Sequence, residues 1–273
     1  MPRKEDNVPA TLRAFSVLEA LAAGDRPASL AELADSSRLP KPTLYRMLGM
    51  LESARLVARE PGTRRYAPGP RLVAFGRSVM LSGSLRAARR AILARLVEAI
   101  GETCNFTMLD GAEVVYLDRV EAAWPLRMNL SAGSRVPVHC TASGKLLLAM
   151  LPRPARERLL AHLPLTRYTA ATLTDAKRLG AELARIRARK YATDNEEFHA
   201  GLVCVAVPVA DEKGRTCAAI AVHAPVSRMP LAQALAHLPL LRRAAAEMAG
   251  TFTAPAAATQ AESPPRRRSA VSA

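Results

Sequence analysis

No apolar run in this 273-residue chain approaches the roughly 18 residues needed to cross a bilayer. The first ten residues, MPRKEDNVPA, are polar, and the apolar stretch that follows is broken by Arg13, Glu19 and Asp25. No secretory leader is expected from that pattern. Cysteine is scarce and dispersed: Cys104, Cys140, Cys204 and Cys217 include no CxxC pair. That spacing argues against a disulfide framework and against a zinc site, and it suits a reduced, cytoplasmic protein. No metal and no cofactor are expected. Acidic residues are also in deficit, 24 against 39 Lys and Arg, for a net charge of +15. A surplus of that size favours polyanionic partners, nucleic acid or an anionic membrane surface, without saying which. It is densest between residues 71 and 100, with six Lys/Arg and one Asp/Glu. On charge alone that stretch reads equally well as a solvated helix face.

What is present is enough apolar material, 49% of residues, to build real cores, and a length that suits two domains. Residues 9–23 put Leu12, Phe15, Val17, Leu18 and Leu21 mostly on one helical face, ended by Gly24 and Pro27. Ser29 with Glu32 three residues on is a capping box that opens a second, short helix. Pro40 and Pro42 bracket a tight turn into a third helix, residues 42–54, with Leu44, Met47, Leu48 and Leu51 facing inward. LVARE and RRYAPG around a Pro-Gly turn form a β-hairpin. Three helices and a basic hairpin make a winged helix-turn-helix.

Residues 70–100 read as a connecting helix, interrupted near Ser82-Gly83-Ser84, and then an Arg-rich helix. Beyond Cys104, CNFTMLDG and EVVYLDRVE are strands joined across Asp110-Gly111, and PLRMNL is a third strand. TASGKLLLAML, PARERLLAHL and DAKRLGAELARIRARKY are helical. LVCVAVPVAD and TCAAIAVHAP are strands around Glu212, Lys213 and Gly214, and MPLAQALAHLPLLRRAAAEMAG closes the domain as a helix kinked at Pro239. The mixture lacks strict βαβ alternation, so the fold class is α+β with an antiparallel sheet. The expected organisation is a winged helix-turn-helix at 1–69, a linker helix at 70–84, an effector-binding domain at 85–250 and a disordered basic tail at 251–273.

The segments RAFSVLEALA, SLAELADSSRLPKPTLYRMLGMLE, RRYAPGPRL, SRVPVHCTASGKLLLAML and EEFHAGLVCVAVPV, in that order, resemble the IclR family of bacterial regulators from about residue 10 to 250. The resemblance implies a GAF-like effector domain, and dimers, often paired into tetramers, on palindromic double-stranded DNA operators. Arg55 and Lys190 stand where the family usually has Gly. If the left-handed geometry is kept, each costs on the order of 1 kcal/mol. Ala221 and His223 stand where small serines are common on a strand that faces the family's pocket.

Lys41, Thr43, Tyr45 and Arg46 begin the third helix, where a recognition helix meets base edges, and Arg64 and Arg65 on the hairpin can reach phosphates or a minor groove. Each also has a plain reading as a solvent-facing helix start or a soluble turn. Thr141, Ala142, Ser143 and Gly144 follow His139 and Cys140 into a helix whose open N–H groups suit an anion. A plain Thr/Ser cap is the competing reading, and the resemblance favours effector binding. It also suggests that Asp194, in the acidic cluster with Glu196 and Glu197, turns toward the ligand. Cys204 is read as a pocket-lining residue. Met128, Leu130, Val203 and Ala221 complete apolar walls, so the expected effector is a small organic acid, oriented by His223 and Asp194. The alternative from another class is an enzyme that uses Cys204 as nucleophile with His139 or His223, carrying an accessory DNA-binding module. A constitutive architectural DNA binder with a vestigial pocket is a third reading.

Overall fold

A computed structural model describes residues 8–24, 26–80, 83–124 and 130–252. It divides into two compact units, Met1–Gly83 and Ser84–Ala273. In the first, the order is α1 (Ala10–Ala23), α2 (Leu30–Ser37), α3 (Lys41–Ser53), β1 (Val57–Arg59), β2 (Tyr66–Pro68) and α4 (Pro70–Met80). The capping box forms: Ser29 accepts the Glu32 N–H at 3.3 Å, and the Glu32 carboxylate accepts the Ser29 N–H at 2.7 Å. Val17, Leu21, Leu33, Leu44, Leu48, Val57 and Tyr66 form one core, so the apolar period of each helix points where its sequence directs it. Arg38 and Arg55 take left-handed φ values of 54° and 60° to end α2 and to leave α3. Gly69 is obligatory at the exit of the hairpin, because a Cβ there would sit 2.4 Å from the Arg55 carbonyl oxygen. Helix α4 has no buried residue. Val73 and Phe75 on it, and Leu12 and Phe15 on α1, are exposed.

The second unit contains α5 (Gly83–Ile100), β3 (Thr103–Asp110), β4 (Glu113–Val120), β5 (Arg135–Pro137), α6 (Ala142–Met150), α7 (Arg153–His162), α8 (Ala176–Arg189), β6 (Ala192–Asn195), β7 (Leu202–Ala210), β8 (Thr216–Pro225), α9 (Leu231–Ala236) and α10 (Leu238–Ala249). Its six strands pair antiparallel in the order β5-β4-β3-β8-β7-β6. One sheet face carries a patch of small residues, Ala192, Ala206, Ala219 and Ala221, under the apolar side of α6 and α8. Alternation sends Val205, Val207, Ile220 and Val222 to the other face. The Arg-rich stretch is partly turned inward. Arg89 is buried, its guanidinium 5.3 Å from the rings of both Phe106 and Phe252, and Arg90 reaches Asp118 at 3.1 Å. Trp124 donates its indole N–H to the Gly101 carbonyl at 3.0 Å and lies 4.8 Å from the Arg228 guanidinium, which holds Glu102 through two bonds.

One expectation is untested and two change. PLRMNL falls outside the described residues except for Leu130; the next described strand is Arg135–Pro137. The last helix is two helices that meet at His237, with Pro239 in the first turn of α10, where its missing N–H costs nothing. The four-residue β6 was not expected at all. Lys190 does adopt the left-handed geometry at the end of α8, with φ 59°. The tail from residue 253 and Met128 lie outside the described residues.

Candidate DNA-reading surface and effector pocket

In the first unit, Lys41, Tyr45 and Arg46 on α3 are exposed and Thr43 is half-buried. The side chains of Lys41, Arg46 and the exposed Arg64 form no hydrogen bond or ion pair with any described residue. They are cations held ready near a positive helix end and a hairpin tip, an arrangement that matches phosphate and base edges. Arg65 differs. It donates to the Pro27 carbonyl at 3.0 Å and to Glu32 at 3.1 Å, which ties the hairpin back to the start of α2. Arg59, absent from the sequence reading, donates to Glu52 at 3.2 Å and lies over the Tyr66 ring, so it links α3 to the hairpin. Its position as the outward residue of a three-residue strand was the available signal.

In the second unit, the turn into α6 and the facing sheet leave a small, partly open pocket of about 40 Å³. Thr141, Ala142 and Ser143 line it from α6, Asp194, Cys204 and His223 from β6, β7 and β8, and Leu130 from the segment before β5. Val203, also expected in the apolar wall, is among the lining residues. Two expected members are not. Ala221 is buried in the small-residue patch under α6. Gly144 packs against the chain before the helix, where a Cβ would meet Val138 Cα and carbonyl oxygen at 2.4 Å. Gly144 thus sets how closely α6 approaches and is absent from the pocket lining. Asn105, Tyr116, Phe198 and His199 line the pocket without having been foreseen. Asn105 was a polar residue inside an apolar strand, which is a readable signal.

The pocket has two polar regions. At α6, Thr141 caps the Gly144 N–H at 3.2 Å and donates to the Pro137 carbonyl at 2.6 Å. The N–H groups of Ala142 and Ser143 bond to no described residue and remain open to an anion. Across the sheet, the His223 ring lies between Asn105, 2.9 Å from Nδ1, and Arg119, whose NH2 is 3.2 Å from Nε2. Desolvation and the charges of Arg119 and Arg228 hold the imidazole neutral, its pKa pushed down to about 3. A neutral ring accepts at one nitrogen only, so of these two donors one bonds it and the other meets a ring N–H. Beneath the wall, buried Lys145 pairs with Glu197 Oε1, and Glu197 Oε2 has no partner. Asp194 accepts the Glu197 N–H at 2.7 Å, and desolvation followed by the Glu197 charge lifts its carboxyl to about 7. Burial pushes the Cys140 thiol up to about 12 and the Cys204 thiol far above its ordinary value. Both are thus held as unreactive thiols.

A model of the bacterial transcriptional regulator IclR C-terminal domain matches residues 78–249, and one of the IclR helix-turn-helix domain matches residues 10–61. This chain belongs to the IclR family. It is a transcriptional regulator with a DNA-binding helix-turn-helix and an effector-binding C-terminal domain. It is 52% identical over 243 residues to the protein named "Probable transcriptional regulator SauR" of Cupriavidus necator, covering 89% of this chain and 96% of that one. It is 33% identical over 219 residues to "Transcriptional repressor IclR" of Escherichia coli, covering 80% of each. The crystal structure of the Thermotoga maritima IclR superposes with a TM-score of 0.59 at 29% identity, covering 89% of this chain and 98% of that one. Among the described residues no helix is long and apolar enough to cross a membrane.

Proposed function

We propose that this IclR-family chain acts in the cytoplasm as a dimer or tetramer, represses or switches a catabolic operon, and is controlled by a small organic acid. The observation that carries the effector class is the pair of unengaged N–H groups at Ala142 and Ser143 on the rim of an otherwise largely apolar pocket. A helix N-terminus with open donors favours a carboxylate, whereas a sugar would need many more partners than these walls provide. Repression is the role named for the Escherichia coli relative. Dimerisation is supported by the exposed apolar residues of α1 and α4, which have no partner within their own unit. Lys41, Thr43, Tyr45 and Arg46 read the operator in the major groove, and Arg64 takes a backbone phosphate. Arg65 assists by fixing the hairpin.

The enzymatic alternative is not favoured. Cys204 has a raised thiol pKa, and His139 and His223 both spend ring nitrogens on other protein groups. Two measurements test the proposal. In footprinting of the DNA upstream of its own gene, Arg46→Ala weakens specific binding by about 1–3 kcal/mol. Arg64→Ala lowers affinity for all sequences alike and reduces the salt slope by about one. Wild-type protection with Arg46→Ala refutes the base-reading role. In a thermal-shift screen, stabilisation by neutral polyols in preference to carboxylic acids refutes the effector class.

A further inference from the structure

The pocket wall holds more negative charge than it can neutralise once an anion arrives. Asp194 is 7% exposed. Its Oδ1 is used by the N–H groups of Glu197 and Phe198, at 2.7 and 3.4 Å, and its Oδ2 accepts from no described residue. The groups around it are few. Glu197 approaches from the loop after β6, Lys145 from α6, Cys204 from β7, Tyr116 from β4 and Cys140 from the turn into α6. The two thiols and the phenol are uncharged near neutral pH, since burial raises all three. The cation, Lys145, is committed to Glu197. His223, across the strand pair from Cys204, is neutral. Arg119, whose charge reaches Cys204 and His223, is paired with Glu121, so an ionised Asp194 would face an incoming carboxylate with no cation paired to it.

We propose that the effector binds together with one proton, held on Asp194 Oδ2 and donated to an oxygen of the effector's anionic group. The proposal rests on the organic-acid reading of the pocket and adds the chemistry of its second contact. The α6 N–H groups meet one carboxylate oxygen and the Asp194 O–H meets the other, so no unpaired like charges are brought together. A site built this way favours weakly basic anions that accept a short O–H···O bond, and it discriminates against cations and neutral esters. Because the free carboxyl already titrates near 7, the sign follows. Below that pH the competent acid form predominates and affinity is flat. Above it the acid form falls about tenfold per pH unit, and affinity falls with it. Between pH 6 and pH 8 the Kd rises roughly tenfold.

The test uses the full chain with acetate, glycolate and benzoate as probes, and methyl benzoate and glycerol as neutral controls, by calorimetry at pH 6 and pH 8. The expected result is an acid whose Kd rises about tenfold at pH 8, with about one proton taken up there, read by comparing phosphate and Tris buffers. Asp194→Asn keeps the Oδ1 acceptor and supplies an N–H donor that does not titrate, so its Kd is the same at both pH values. If that variant does not fold, the wild-type pH ratio and buffer comparison decide. An acid bound equally at both pH values without proton uptake overturns this proposal and leaves the organic-acid reading standing. A full pH dependence in Asp194→Asn does the same. Binding of glycerol or methyl benzoate in preference to every acid, or of no probe at either pH, overturns both.

Discussion

Replacing Lys145 by methionine removes the cation that neutralises Glu197 inside the second unit. The two side chains are 2% and 10% exposed, so water cannot take the lysine's place. Glu197 already has one oxygen without a partner, and Asp194 adds a carboxyl beside it. Removing one member of a buried pair leaves the other as an uncompensated charge, which costs about 3–5 kcal/mol. For a domain of this size a kcal/mol moves Tm by about 2–4 °C, so the expected loss is roughly 6–20 °C. The sign of its pH dependence is set by Glu197, whose carboxyl burial already raises and which loses the lysine's opposing pull in the variant. A carboxyl raised in the folded state loses stability as pH climbs from its unfolded value to its folded one. The penalty is therefore larger at pH 8 than at pH 5. The double variant Lys145→Met/Glu197→Leu removes both charges and recovers most of the loss. Urea unfolding followed by circular dichroism at both pH values measures all of this. A single-variant cost under about 1 kcal/mol, or a double variant as unstable as the single, refutes the reasoning.

Gly144→Ala forces a methyl group into the Val138 backbone at 2.4 Å and is expected to cost at least about 1–3 kcal/mol of overpacking. It displaces the α6 N-terminus as well, so both Tm and acid binding fall; retained Tm and binding refute the close-packing role. Arg55→Gly relieves a left-handed residue at φ 60°. It is expected to raise stability by about 0.5–1 kcal/mol after the greater entropy of the unfolded glycine is allowed for. An unchanged or lowered unfolding midpoint argues against strain at that position.

How legible this was in the sequence depended on whether the information was local. Ser29 and Glu32 carry their own capping geometry, and the 3.6-residue period of α3 alone sends Leu44, Met47, Leu48 and Leu51 inward. Arg55 and Lys190 were readable because a non-glycine at a helix exit leaves a specific backbone demand. The pocket was readable only in part. Thr141–Ser143, Asp194, Cys204 and His223 line one pocket. However, β6, which carries Asp194, is too short to show alternation. Asn105, Arg119 and His223 meet through the pairing of β4, β3 and β8, which no local pattern encodes. Lys145 looks like any lysine in a leucine-rich helix until α6 is laid on the sheet. The role of Gly144 is likewise invisible without the position of Val138.

Trp124 is the one tryptophan in the chain, and its indole is fixed by the Gly101 carbonyl and the Arg228 guanidinium. It stands six positions before Leu130, which lines the pocket. Excited at the red edge of its absorption, where tyrosine absorbs little, unmodified protein therefore emits from a single indole in the effector-binding unit. A guanidinium against the ring and a carbonyl on its N–H make that emission sensitive to small shifts of this segment, so a ligand titration needs no dye or label. The same property gives the second unit an optical signature in unfolding that the helix-turn-helix unit, with no tryptophan of its own, cannot contaminate.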